Sequence, residues 1–187
     1  MNRFHLRYCG SARWRRTVEE TLLPWALHGI DLGDDPLEIG PGLGVTTRLL
    51  ARRAPRLTAI EVDGRLAARL RRELPAWVRV VHGDGAAMPF ATASFSGAAC
   101  FTMLHHVPSP ALQDRLFAEA CRVLRPGGTF AGADSRPSLR FRLIHLFDTM
   151  VPVDPAALPA RLEAAGFTQV RVATRPGRLR FAARKPG

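Results

Sequence analysis

Leu37-Glu38-Ile39-Gly40-Pro41-Gly42-Leu43-Gly44, running on into Val45-Thr46-Thr47-Arg48-Leu49-Leu50-Ala51, decides how this chain is read. A short apolar strand ends in an acidic residue, a turn follows with glycine at every second position, and then a helix begins. Glycine lacks a Cβ, so it accepts positive φ and lets a ligand lie against bare backbone. The free N–H groups of a helix start, with the helix dipole behind them, favour a negative group there. The nicotinamide and flavin fingerprint is G-x-G-x-x-G. Here the third glycine comes one residue early, and Glu38 at the mouth of the turn would repel a pyrophosphate. A ligand with a cationic amino group explains Glu38 better.

Working outward from that turn, helix and strand signals alternate, which predicts an α/β fold with a mainly parallel sheet and helices on both faces. Ser11 is placed to cap a helix over about 12–28, which Pro24 should bend. A first strand over 37–39 precedes a helix over 45–54 that stops before Pro55. A second strand over 57–62 is followed by a helix that Asp63 caps. A third over 78–82 runs into Gly83-Asp84-Gly85. A fourth over 95–101 is apolar enough to be buried on both faces. Ser109-Pro110 opens a helix over 111–124. Arg125-Pro126-Gly127-Gly128 reads as a turn before a fifth strand over 129–133. Helices over 138–150 and 154–165, the second closing at Gly166, lead to strands over 169–173 and 179–183. These two strands form an antiparallel hairpin at the sheet edge.

A chain of 187 residues is most simply one domain. Within it, 1–33 is a helical lid segment, 34–135 the ligand-binding core, and 136–187 the substrate-side helices and hairpin. Hydrophobic content of 47% with 23% charged residues excludes a disordered chain, and no apolar run approaches bilayer length. The arginine-rich start lacks the apolar stretch of a secretory signal and distantly resembles an acid-poor transit peptide. Cys9, Cys100 and Cys121 are too widely spaced for a disulfide framework or a zinc site, so no metal is expected and a reducing cytoplasm fits. The net charge of +11 invites a nucleic-acid reading. However, Arg65, Arg69 and Arg72 fall opposite Leu66, Ala67, Leu70 and Leu74, as on an ordinary amphipathic helix.

With these motifs in order, the chain from about Asp34 onward resembles the class I S-adenosylmethionine-dependent methyltransferases. The likeness is to the small-molecule branch typified by ubiquinone and menaquinone biosynthesis. Glu38 to Gly44 is similar to that family's first motif, Ala59-Ile60-Glu61-Val62-Asp63 to its second, and Gly83 to Phe90 to its third. Leu104-His105-His106-Val107 and Arg122 to Gly128 complete the set. Ser96 departs from the family's usual aspartate at that position, which begins a strand, so cofactor binding should survive.

The resemblance implies a seven-stranded Rossmann-like sheet, mostly parallel, that binds S-adenosyl-L-methionine and releases S-adenosyl-L-homocysteine. It implies that Gly40, Gly42 and Gly44 hold the methionine tail and that Glu38 faces its ammonium. Glu61 would accept the ribose hydroxyls. Asp84 would accept from the adenine amino group, with Gly85 or Ala86 N–H reaching a ring nitrogen and Phe101 or Met88 flanking the ring. Methyl transfer is an in-line displacement that needs positioning above all. A general base serves a hydroxyl or carbon acid, and His105, His106 and His145 are the candidates, His145 sharing a helix face with Asp148. The partner is then a small-molecule acceptor, with oligomeric state undetermined. Two rivals remain: an rRNA or DNA adenine N-methyltransferase, and a non-catalytic cofactor-binding partner subunit. The first of these carries Asn/Asp-x-Pro-Tyr/Phe after the fourth strand to hold a flipped base. This chain has Phe101-Thr102-Met103-Leu104-His105-His106 there.

Overall fold

The computed structural model describes residues 7–137 and 149–187. The apolar run before the glycine turn becomes β1 (Pro36–Ile39), all four residues buried. It lies between β2 (Leu57–Glu61) and β4 (Phe95–Phe101), parallel to both. β3 (Val78–His82) extends the sheet beyond β2, and β5 (Leu124–Ser135) runs parallel to β4. The hairpin strands β6 (Thr168–Arg175) and β7 (Arg178–Arg184) close the other side, β7 antiparallel to β5. The order is β3-β2-β1-β4-β5-β7-β6, as the expected seven-stranded fold requires. The chain winds outward from β1 through β3 and then restarts at β4. Ligands of open α/β sheets bind at the strands' carboxyl ends where such a reversal occurs.

Apolar side chains pack both faces. On one face, Leu116 and Phe117 of α5 (Pro110–Val123) and Leu162 of α6 (Leu158–Ala164) meet Phe130 and Phe181 of the sheet. On the other, Val18, Leu22 and Leu23 of the N-terminal helix pack with Leu50 of α3 (Val45–Leu50) and Leu70 of α4 (Gly64–Glu73). Ser96, the departure from the family pattern, is structural. Its hydroxyl donates to Leu32 O (2.8 Å) and accepts from Asp35 N–H (2.8 Å), lacing the start of β4 to the loop before β1.

Several elements differ from expectation for local reasons. The first helix is α1 (Ala12–Thr17), a π-helical turn (Val18–Leu22), and α2 (Leu23–Ala26). Pro24 has no N–H, and its ring crowds the preceding turn, so the chain widens there and Leu23 N–H reaches back five residues to Val18 O. Ser11 caps α1 as expected, accepting from Trp14 N–H. The turn over 125–128 survives as an irregularity within β5. Phe95 pairs with Leu124, but Gly97 already pairs with Thr129, and Gly127 turns at φ 73°. The helix over 154–165 shortens to α6, with Pro159 in its first turn and Asp154 forming a turn ahead of it through Ala156 N–H (3.0 Å). The hairpin strands are longer than predicted because Pro176-Gly177 alone makes the turn. The helix expected over 138–150, with His145 and Asp148, lies outside the described residues. Its last two positions, Thr149 and Met150, are described and are not helical.

Candidate functional site

A cavity of about 730 Å³ opens at the carboxyl ends of β1, β2 and β4, over the glycine turn. The turn is tied down by Gly40 N–H donating to Ile60 O (2.9 Å) and Gly44 N–H to Pro41 O (2.8 Å). Gly40 and Gly42 border the cavity at φ 68° and 56°. A Cβ on Gly40 would come within 2.9 Å of the Met103 methyl, so only bare backbone fits beneath that side chain. Gly44 has a different task from the one expected. It does not border the cavity; it starts α3 at φ 73°, and a Cβ there would lie 2.5 Å from Leu70 Cδ2. Its missing side chain lets α3 seat against α4.

Glu61 ends β2 and faces the cavity, 6% exposed. Its Oε2 accepts from Gly42 N–H (2.9 Å) and its Oε1 from Asp63 N–H (2.9 Å). Capping of α4 is left to Asp63, whose Oδ1 accepts from Arg65 and Leu66 N–H. Glu61 therefore holds the glycine turn and keeps lone pairs toward the cavity. Between these two acids stands Val62, 66% exposed at the cavity mouth, an apolar side chain the sequence reading passed over.

Glu38 lies one layer deeper, beneath the cavity surface and 1% exposed. Its Oε1 accepts from the Thr46 hydroxyl, and its Oε2 is buried with no hydrogen-bond partner. Burial pushes this carboxyl up to about 7, against the Thr46 and Thr47 hydroxyls and with the Glu61 charge adding to the rise. From about pH 4.5 to about 7 the folded protein holds a proton that the unfolded chain has released. The contribution of this carboxyl to stability therefore falls as pH rises through that window. Measured by denaturant unfolding, Glu38→Gln is expected to gain on the native protein by up to about 3 kcal/mol between pH 4.5 and pH 8. A pH-independent difference would show that Glu38 does not titrate there.

Asp84, Gly85 and Ala86 border the far end of the cavity. Asp84 Oδ1 accepts from Ala86 N–H (2.8 Å), so that N–H is engaged within the loop. Phe101 borders the cavity from β4, whereas Met88 is buried in the core and does not.

The two adjacent histidines part company in the 3₁₀ turn Leu104–His106. His106 borders the cavity. His105 turns into the protein, 2% exposed, with Nδ1 2.5 Å from Asp134 Oδ1 and its backbone N–H donating to Asp134 Oδ2 (3.1 Å). Their rings remain 4.2 Å apart. Burial acts to raise the Asp134 carboxyl, but the His105 ring and the backbone N–H groups of Ser135 and His105 outweigh it, and the net shift is downward. Gln113 Nε2 donates to Leu104 O (3.0 Å) and Val151 O (2.8 Å), bracing the same turn. Cys9, Trp14 and Val18 of the N-terminal segment, with Thr149, line the remaining wall. His145 lies outside the described residues.

This strand order, with a glycine turn and acidic residues at the ends of β1 and β2 under a cavity at the switch point, is the fold of the S-adenosylmethionine-dependent methyltransferases. Residues 37–132, more than half of the chain, match the family model described as a methyltransferase domain, and the chain belongs to that family. A ribosomal RNA small subunit methyltransferase A of Bordetella pertussis is 51% identical over 59 residues, 31% of this chain and 22% of that protein. A demethylmenaquinone methyltransferase of Tropheryma whipplei is 29% identical over 140 residues, 73% of this chain and 54% of that protein. The chain thus spans about half or less of the length of these curated relatives. A SAM-dependent methyltransferase structure from Aquifex aeolicus shares the fold with a TM-score of 0.75 at 17% identity, covering 98% of each chain.

Proposed function

We propose that this protein transfers the methyl group of S-adenosylmethionine to a small-molecule acceptor. The observation that carries the reading is the pair of carboxylates around the glycine turn. Glu61 faces the cavity, and Glu38 lies buried one layer beneath it. A ligand with both a diol and an ammonium brings donors to Glu61 and a positive charge over Glu38. When bound, S-adenosylmethionine supplies a methyl group already activated by its positively charged sulfur.

The chain's own residues bind, orient and exclude water. Gly40 and Gly42 leave room for the amino-acid tail, Glu61 accepts from the ribose hydroxyls, and Asp84 with Gly85 meets the adenine. Glu38, one layer beneath the cavity, compensates the ammonium by its charge rather than by contact. His106, on the cavity wall, takes the acceptor's proton. Cys9, Trp14 and Val18 close the acceptor side with a mainly apolar surface.

A small acceptor is supported by the longer of the two alignments, that with the demethylmenaquinone methyltransferase. The stronger identity to the ribosomal RNA enzyme is confined to 59 residues. The Phe101 to His106 segment also lacks the polar and aromatic pair that would grip a flipped base. No helix among the described residues is long and apolar enough to cross a membrane, and we place the reaction in the cytoplasm.

Calorimetry with S-adenosylhomocysteine tests the cofactor site, and absence of binding would overturn the reading. Radiolabelled methyl transfer to a panel of hydroxylated aromatics and quinols tests the acceptor class. With any acceptor found, His106→Ala is expected to lower kcat by about 10²–10⁴-fold at unchanged S-adenosylhomocysteine affinity. Methyl transfer to RNA alone would favour the nucleic-acid reading.

A further inference from the structure

Glu38 is a buried carboxyl with no cation to answer it. Across the sheet its neighbours are Ala59 of β2 and Ala99 of β4, which bring no polar side chain. From α3 the Thr46 hydroxyl donates to Oε1, and the Thr47 hydroxyl also favours the charged form. The same helix carries Arg48, but that guanidinium is engaged by Leu43 O, Gly44 O and the Glu73 carboxylate. Glu61, ending β2, acts on Glu38 as a second negative charge, and the Cys100 thiol of β4 feels the Glu38 charge in turn. Among the described residues, no arginine, lysine or histidine acts on this carboxyl.

Hydroxyls do not stabilise a buried carboxylate as a cation would, and a second carboxylate nearby opposes it. The neutral acid is therefore the favoured form at mildly acidic pH. The acid is nevertheless close to the ligand's space. Thr46, whose hydroxyl it holds, borders the cavity, as do Ile39 and Gly40, the next two residues of the chain. One side chain thus joins Glu38 to the cavity wall. A positive charge brought to that wall favours the ionised acid across a medium that screens poorly.

We propose that Glu38 is neutral in the free protein and ionises when the cofactor's ammonium is seated, so that cofactor binding releases a proton. The O–H bond of the carboxyl breaks, its electron pair stays on the carboxylate, and the proton passes to solvent. The inference rests on reading the cavity as the S-adenosylmethionine site and adds the regulation of that same site. Affinity then falls as pH drops below about 7, because a growing share of the protein must first give up its proton. At higher pH the acid is already ionised and the linkage vanishes.

The test is calorimetry of S-adenosylhomocysteine binding to the full chain at pH 6, repeated in buffers of different ionisation enthalpy. The ligand's own amino group, with an ordinary value of about 7.7–8.0, is already protonated there. The native protein should release about half a proton or more per ligand bound, and Glu38→Gln none. Between pH 7 and pH 5.5 the native affinity should fall by about threefold to tenfold, while that of the variant stays level. 5′-Methylthioadenosine, which keeps the diol and the adenine but has no ammonium, should bind without the release. Infrared difference spectra need no variant to bind. S-adenosylhomocysteine should remove the C=O stretch of a protonated carboxyl from the native protein, and free Glu38→Gln should lack that band. Binding to the native protein with no proton released would overturn the proposal. A release that persists in Glu38→Gln or with 5′-methylthioadenosine would overturn it too, as would a carboxyl band unchanged by binding. Failure of S-adenosylhomocysteine to bind at any pH strikes the cofactor reading instead.

Discussion

Glu61→Ala is expected to weaken S-adenosylhomocysteine binding by about two to three orders of magnitude while the sheet stays folded. Hydrogen bonds to a charged group contribute about 1.5–3 kcal/mol each, and about 1.4 kcal/mol is a factor of ten in affinity. The variant loses the carboxylate proposed for the ribose and also the two bonds that hold Gly42 and Asp63 N–H. The glycine turn is then untied on the cavity side while Gly40 still anchors it to Ile60. Both freed N–H groups lie beside the open cavity, where water can replace the carboxylate, so the cost to stability is small. Glu61→Gln should fall between, since its amide nitrogen cannot accept. Calorimetry decides the matter, and unchanged affinity in the alanine variant would remove Glu61 from the site.

Asp134→Ala is expected to cost about 3–5 kcal/mol of stability, because three buried donors each lose their acceptor at about 1–3 kcal/mol apiece. The Asp134 carboxylate is 1% exposed and accepts from the His105 ring, His105 N–H and Ser135 N–H. Alanine leaves all three donors buried and unmet. For a chain of this size that loss lowers the midpoint of thermal unfolding by about 10 °C or more. Asp134→Asn keeps one acceptor oxygen and should lose less. The pH dependence has a definite sign. The folded-state carboxyl lies below its ordinary value, so its contribution is present above about pH 4 and fades as pH drops below that. Denaturant unfolding at pH 7 and pH 3 checks both statements. A loss below about 1 kcal/mol at pH 7 would show that the pair does not hold the turn.

The strands and most of the helices were legible because their signals are local. Alternating blocks of apolar residues, Asp63 and Ser109 at helix starts, and Pro-Gly in the hairpin each act within a few residues of themselves. Ser11 could be read as a cap, but the π-helical turn before Pro24 could not. Proline announces an interruption without saying how the chain will absorb it. The irregularity over 125–128 is similar, since a turn signal does not tell whether the strand resumes its pairing on the far side.

The cavity's border was legible where backbone conformation itself forms it. Positive φ at Gly40 and Gly42 and the acid closing β2 bring their own geometry to the cavity. Gly44 carries the same signal for another purpose, because the neighbour that needs its missing Cβ is Leu70, on a different helix. His105 and His106 are equivalent in sequence. In a 3₁₀ turn adjacent side chains diverge, and a carboxylate 29 residues away chose which of them would be buried. Asp134 and Arg178 left no local mark at all.

By itself, then, the order of residues determined the layered α/β architecture, the glycine turn and the acids bracketing it, since each depends on short-range backbone preference and on the period of apolar residues. Tertiary structure alone decided which histidine reaches the cavity, which glycine serves packing, and that the Arg178 guanidinium lies over Trp14. Those outcomes depend on contacts between segments far apart in the chain, and the burial that makes an unmatched charge costly exists only after the sheet has brought them together.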